Sequence, residues 1–189
     1  VDTDAAWLDT HSLQTQVILR SMSADRDISE IFEPCRKWVE FLAADSVLRG
    51  GITFMDGKHI DSIWQNVYPV SGQCKLIDRE WVWKGDIRMN VVVIRAIYSF
   101  LTKVEHSARL ATALNARSGR TVINNIAAAI GVKLNADDFA EFIRVESEIQ
   151  WTVFGVDRKW QSIYLHWFLL DRRSLDFFRQ RKRWAAAII

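Results

Sequence analysis

The spacing of apolar residues divides this chain into a helical beginning, a short middle stretch with another period, and a long helical remainder. Residues 5–22, AAWLDTHSLQTQVILRSM, and 29–48, SEIFEPCRKWVEFLAADSVL, place apolar side chains every three or four positions, as in helices that pack by one face. Pro34 suits the first turn of the second helix, where its missing N–H costs nothing. We therefore predict a helical pair over residues 1–49.

The period changes over residues 50–84. NVYPV (66–70) and CKLID (74–78) are short apolar runs of the kind that forms strands, and Ser71-Gly72-Gln73 lies between them. Two such runs separated by a few turn-forming residues indicate a β-hairpin. This segment is predicted to carry the small β part of the fold.

Residues 87–189 are predicted to form a helical bundle. The stretch 90–114 is apolar nearly all round in its first half, which is typical of a buried central helix. Gly131 follows an apolar helical run and is predicted to end that helix in left-handed geometry. Asn135, with Asp138 three residues later, is predicted to begin the next helix. Gly155 ends that helix, and a last one spans 157–184. The fold class is therefore α+β, mostly helical.

Composition adds few constraints. The chain has 189 residues, 49% of them hydrophobic and 25% charged, with a formal net charge of +2, which is typical of one globular domain. The most apolar run, 89–101, is too short to span a membrane and contains Arg95. Cys35 and Cys74 have no spacing typical of a disulfide framework or a zinc site, so we expect a reducing, cytoplasmic location.

The candidate chemistry lies between residues 59 and 78. Asp61 follows His59 by two positions and Asn66 follows Asp61 by five, giving the spacing H-x-D-x4-N, and Asp78 comes twelve residues later. A hairpin folded at Ser71-Gly72 brings the outer ends of its strands together, and with them Asn66 and Asp78. Three converging oxygen-bearing side chains suit a magnesium–nucleotide site.

This segment resembles the catalytic loop and second motif of the protein-kinase-like superfamily, on its aminoglycoside-phosphotransferase-like side. The sequence LIDREW, 76–81, followed by an apolar helix with an arginine, is most similar to kinase-like regions of bacterial glycan-modifying methyltransferases and glycosyltransferases. The resemblance implies a kinase-like C-lobe in which Asp61 is the catalytic base and His59 braces the catalytic loop. It also implies that Asn66 and Asp78 bind Mg²⁺ and ATP, and that the acceptor is a sugar or glycan.

The resemblance covers residues 59–100 closely, and no N-terminal lobe is recognisable before it. Only 58 residues precede His59, they are predicted to be helical, and none of the eight glycines forms G-x-G-x-x-G. Kinases cover the nucleotide with such a loop and a strand lysine. We therefore expect either a lobe supplied elsewhere in a longer protein or a reduced form that no longer phosphorylates.

Several alternatives remain open. Asp61 and Asn66 could simply cap turns, Glu80 could pair with Arg95 or Lys84, and the whole domain could be a non-catalytic scaffold that docks partner domains through its aromatic surface. The helix after Ala127 and Gly131 is acidic, which argues against nucleic acid. The tail is basic, which permits peripheral contact with the inner face of a membrane or a solvated helix end; its cations are Arg172, Arg173, Arg179, Arg181, Lys182 and Arg183.

Overall fold

The α+β, mostly helical fold class is confirmed by a computed structural model, which describes residues 11–22, 26–78, 81–103 and 118–170. The elements, in chain order, are α1 Leu13–Ser21, α2 Ile28–Ile31, α3 Pro34–Ala44, β1 Ser46–Arg49, β2 Ile52–Asp56, β3 Val67–Val70, β4 Gln73–Leu76, β5 Asp86–Arg88, α4 Met89–Lys103, α5 Gly119–Ala129, α6 Ala136–Phe154 and α7 Arg158–Leu170.

The helix predicted over 29–48 is wrong at its C-terminal end. Pro34 does open α3, but the helix stops at Ala44, and β1 follows. Gly50 and Gly51 have positive φ angles of 56° and 79°, and they turn the chain so that β1 pairs antiparallel with β2. Two glycines in left-handed geometry form a tight hairpin turn, and β5 completes a three-stranded sheet in the order β1-β2-β5.

The hairpin predicted after residue 66 is confirmed, with a turn shorter by one residue. Strands β3 and β4 pair antiparallel, with Val67 opposite Leu76 and Val70 opposite Gln73. Only Ser71 and Gly72 form the turn, and both have positive φ, 49° and 81°. Gln73 therefore belongs to β4, and the outer ends of the hairpin lie side by side as expected.

The helix ends predicted in the second half are confirmed. Asn135 and Asp138 form a capping box at the start of α6, each side chain accepting from the other residue's backbone N–H. Gly155 ends α6 with φ 66°, and Gly131 follows α5 with φ 84°. The predicted helical residues 5–10, 104–114 and 171–184 lie outside the described residues.

The core surrounds α4, as its all-round apolar sequence predicts. Val91, Val92, Val93, Ile94 and Ile97 have no exposed surface, and α4 packs against both α5 and α6. The ring of Trp64 packs with those of Phe32, Trp38 and Phe100, at centroid distances of 5.3 to 6.0 Å. Among the described residues, no helix combines the length and apolar character required to cross a bilayer.

Candidate functional site

The segment from Gly57 to Asn66, called the 57–66 loop below, contains two short 3-10 turns and contacts α3 and the residue after it, Asp45. His59 is 2% exposed; its Nε2 lies 2.7 Å from Asp45 Oδ2 and its Nδ1 3.2 Å from Ser62 Oγ. Trp38 donates its ring N–H to the carbonyl of Ser62 at 3.1 Å. These contacts give His59 the geometry of a loop brace, and it does not line the cavity described below.

A close backbone approach fixes the start of the 57–66 loop. A Cβ atom added to Gly57 would lie 2.0 Å from the carbonyl oxygen of Trp83 and 2.5 Å from that of Gly85. The N–H of Trp83 donates to the carbonyl of Gly57 at 3.0 Å. Only glycine permits this approach, which places the chain after the hairpin against the loop.

Asp61 and Asn66 contact each other directly. The Nδ2 amide of Asn66 donates to Asp61 Oδ2 and to the Asp61 backbone carbonyl, both at 3.1 Å. The alternative in which Asp61 and Asn66 cap a turn agrees with these contacts, because the Asn66 amide joins the two ends of residues 61–66. The same hydrogen bonds define the orientation of the Asn66 side chain, with Nδ2 toward Asp61.

The hairpin brings Asp78 back to this point. The N–H of Ile77 donates to the backbone carbonyl of Asn66 at 2.9 Å, which continues the β3–β4 pairing beyond the strands. Asp78 follows with φ 56° and is exposed. A non-glycine residue in left-handed geometry is uncommon, and such residues cluster at functional sites.

A largely buried arginine links the 57–66 loop to the helices. Arg95, on α4, donates from NH1 to Asp61 Oδ1 at 3.1 Å and to the Ile60 carbonyl at 2.6 Å, and from Nε to Glu146 Oε2 at 3.0 Å. The side chains of Arg95, Asp61 and Glu146 are 11%, 10% and 4% exposed. Glu146 accepts a further hydrogen bond, 2.8 Å long, from Gln150 on its other oxygen.

Asp61, Asn66 and Asp78 line one cavity of about 600 Å³. Arg95 and Glu146 line it as well, together with aromatic and amide side chains from the segment after the hairpin and from α6 and α7, among them Trp81, Gln150, Phe154, Gln161 and Tyr164. Three carboxylates face one guanidinium here, a formal excess of two negative charges. Such a cavity attracts a cation rather than a free anion.

Asn66 and Asp78 bring to the cavity oxygen atoms of the type that Mg²⁺ binds in proteins. With its amide nitrogen toward Asp61, Asn66 keeps its Oδ1 free of any hydrogen bond from the described part of the chain, and the Asp78 carboxylate is exposed. Mg²⁺ usually takes one or two protein oxygens and completes its shell with water and phosphate. Within the described ranges, no group of three or more His, Cys, Asp or Glu side chains could hold a metal ion by itself.

Sequence reasoning missed the role of Glu146, although a signal was present. In α6 the buried Phe142 and the partly buried Ile149 lie four residues before and three after it, so Glu146 interrupts an apolar helix face. A carboxylate on such a face needs a partner, and Arg95, the one charged residue within the apolar run 89–101, provides it. The Glu80 alternative lies outside the described residues.

Comparison with known proteins found no matching family model, no matching curated protein and no matching solved structure.

Proposed function

We propose that this chain is the kinase-like, phosphotransferase-like domain of a bacterial glycan-modifying protein and binds a magnesium-nucleotide. One observation carries the proposal: Asp61, Asn66 and Asp78, predicted from their spacing to converge, line a single cavity with a net negative charge. Phosphoryl transfer requires a carboxylate that orients the attacking hydroxyl and oxygen ligands for a divalent ion, and these are the groups present.

The proposed roles follow the contacts. Asp61 accepts the proton of the acceptor hydroxyl; Arg95 on one carboxylate oxygen and Asn66 on the other fix its orientation. His59 holds the 57–66 loop in place through Asp45 and Ser62.

Asn66 and Asp78 are the proposed ligands of Mg²⁺, through Oδ1 and the exposed carboxylate. When bound, the ion supplies charge neutralisation of the phosphates. The amide and aromatic side chains of the cavity, Gln150, Gln161 and Trp81 among them, provide hydrogen bonds and a flat apolar surface suited to a nucleoside or a sugar.

Thermal unfolding with and without MgATP tests the proposal. We expect MgATP at about one hundred times its Kd to stabilise the folded chain by about 2.7 kcal/mol, seen as a rise in Tm, and Asp78→Ala to abolish the rise. Asp137→Ala is the matched control, because Asp137 is exposed in the first turn of α6, where it is remote from the cavity lining. A wild-type Tm that does not respond to MgATP contradicts the proposal.

The second candidate is a non-catalytic module that docks partner domains. It is favoured by one observation: both carboxylate oxygens of Asp61 are already engaged, by Arg95 and by Asn66, as in a structural ion pair. In that case Asp61→Asn changes stability alone, and neither the wild type nor any variant responds to MgATP.

A further inference from the structure

A second cavity, of about 490 Å³, lies between α6 and α7. Its lining comes from these two helices alone, from positions between 140 and 148 on α6 and between 158 and 166 on α7. On α6 the lining positions follow the spacing i, i+3, i+4, i+7 and i+8, which is one face of a helix. This space, called the α6–α7 cavity below, shares no lining residue with the cavity that contains Asp61.

Ser147 brings to the α6–α7 cavity a buried hydroxyl without a partner. The residue lines the cavity and is 6% exposed, and its Oγ makes no hydrogen bond within the described part of the chain. A helical serine can donate to the carbonyl four residues earlier, but this one does not. Because a buried polar group without a partner costs free energy, a ligand that accepts a hydrogen bond from Ser147 would recover that cost.

The cavity also has more hydrogen-bond donors than the surrounding carboxylates occupy. Three cations line it, Arg144, Arg158 and Lys159, against one carboxylate, Glu148. Arg158 donates from NH2 to Glu148 at 2.6 Å, and Arg144 donates from Nε and NH2 to Glu141, which lies outside the lining, at 3.0 and 2.7 Å. Among the described residues, NH1 of both arginines and Nζ of Lys159 have no acceptor, so these donors remain for a ligand.

Two of the cations lie where a helix disfavours them. Arg158 and Lys159 begin α7, and its first turn contains no acidic residue, although the N-terminus of a helix carries partial positive charge and favours anions. Asp157, just before the helix, accepts from the N–H groups of Lys159 and Trp160. Positions that break a local rule are expected at functional sites, and an anion bound beside these two cations would offset the unfavourable charge.

We infer that the α6–α7 cavity binds the phosphate group of a small organic phosphate. Arginine, lysine and hydroxyl groups are the donors that recognise phosphate oxygens. A volume of about 490 Å³ lies within the range of sites for small organic molecules, and Ala140 and Ile143 give its lining an apolar part for the organic group. A divalent cation is disfavoured, because the one lining carboxylate, Glu148, already pairs with Arg158.

Isothermal titration of the full 189-residue chain with phenyl phosphate tests this inference, which is independent of the proposed function. The buffer contains EDTA and no nucleotide, and NaCl holds the ionic strength constant. We expect saturable binding at one site, about tenfold tighter than that of inorganic phosphate, because the ring adds apolar contact.

Ser147→Ala and Arg158→Gln should each weaken the binding of phenyl phosphate by about tenfold, since each removes a donor to a charged group. Without ligand, Ser147→Ala should have a Tm equal to or above that of the wild type, because the substitution removes a buried hydroxyl that has no partner. A loss of binding in this variant is then a loss of the hydrogen bond and not of the fold.

Arg49→Gln is the matched control for Arg158→Gln. The two arginine side chains are 58% and 54% exposed, and each pairs with one carboxylate and lies over one aromatic ring, but Arg49 is on β1. Arg49→Gln and Asp78→Ala should bind phenyl phosphate as the wild type does. The inference is overturned if the wild type gives no saturable binding, if inorganic phosphate binds as tightly, or if Ser147→Ala and Arg158→Gln bind unchanged. Weaker binding in Asp78→Ala would also overturn it, because the probe would then occupy the larger cavity.

Discussion

At the scale of single residues, Arg95 and Asp78 determine most of the site. Arg95 places one guanidinium between two carboxylates that are almost withdrawn from water. Ionised groups in that position need both a partner and hydrogen bonds, since their desolvation alone is costly. Asp78 instead reaches water but occupies left-handed backbone. One residue thus stabilises the site through its charge, while the other holds an uncommon conformation within it.

Replacing Arg95 by methionine should lower the free energy of unfolding by about 3 to 5 kcal/mol, because Asp61 and Glu146, both largely withdrawn from water, lose the guanidinium that they share. Urea unfolding measures the loss. Arg144→Met is the control: Arg144 is 59% exposed and pairs with Glu141 on the helix surface, where such pairs contribute less than about 1 kcal/mol.

Adding Asp61→Asn and Glu146→Gln to Arg95→Met should recover part of the loss, since both buried charges are then removed. Equal urea midpoints for Arg95→Met and Arg144→Met would show that the buried network does not stabilise the fold.

Asp78→Gly should unfold at a higher urea concentration than Asp78→Ala, by about 1 kcal/mol in free energy, because glycine adopts positive φ without the steric cost that alanine has. Both variants should equally lose the response to MgATP, since both lack the carboxylate. Urea unfolding measures the difference in stability between the two variants, and thermal unfolding with and without MgATP measures the loss of the response. The same stability for the two variants would mean that the backbone at 78 relaxes.

At the scale of elements, the 57–66 loop is joined to α3 through Asp45. The hydrogen bond from His59, followed by that from Lys58, lowers the pKa of Asp45 below its ordinary value of 3.8. Asp45 directly follows α3, and His59 and Lys58 belong to the first turn of the loop. Protonation of this carboxylate therefore weakens the contact between helix and loop.

The stability of the chain should fall with pH in the acid range, in part through Asp45. Because its pKa is lower in the folded state, the unfolded chain binds more protons, so this contribution is present above the ordinary value and is lost as pH falls through the folded one. Urea unfolding between about pH 6 and about pH 3 should show a shallower decline for Asp45→Asn than for the wild type. Asp137→Asn, at an exposed position, is expected to follow the wild type; a wild-type decline in Asp45→Asn would contradict the prediction.

The elements that the sequence predicted correctly are those with local signals. The capping box at Asn135 and the glycine at 155 act within one helical turn, and Ser71-Gly72 lies between two apolar runs. The β1–β2 hairpin was missed although Gly50-Gly51 separates two apolar runs as well, because residues 46–48 also continue the apolar spacing of α3. Pairing of β2 with β5 joins residues 30 to 34 positions apart in the chain, and no local pattern contains such a tertiary contact.

For the candidate site, the sequence predicted the convergence of Asp61, Asn66 and Asp78, since a hairpin constrains the chain between them. The network through Arg95 and Glu146 was not predicted, because it depends on how α4 and α6 cross. His59 was predicted to brace the loop, and its contacts with Asp45 and Ser62 fit that role.

At the scale of the whole molecule, the two cysteines lie at different depths: Cys35 is inside the core, and Cys74 packs against it. Cys35 has no exposed surface, and burial raises the pKa of its thiol well above the ordinary value of 9.0. Cys74, on β4, is partly buried, and its pKa is raised by burial as well. Thiolates are the reactive form, so both thiols react slowly in the folded state, and Cys35 is the more protected.

Labelling with a thiol reagent at mildly alkaline pH should modify Cys74 at least about a hundredfold faster than Cys35, which becomes accessible only when the core opens. Cys74→Ser isolates the slow reaction, and Cys35→Ser isolates the fast one. In Cys74→Ser, Arg95→Met should accelerate the labelling of Cys35, because it lowers the free energy of opening. Similar rates for the two single-cysteine proteins would mean that α3 detaches without global unfolding.

One guanidinium that serves two buried carboxylates also restricts how this protein can evolve. A mutation at 95 alone takes the guanidinium away from two carboxylates at once, and a mutation at 61 or 146 alone takes one of its two carboxylate partners from the arginine. Homologous sequences, once aligned, should therefore show positions 61, 95 and 146 substituted together or not at all. The helix positions 95 and 146 would then change only together with position 61 in the loop.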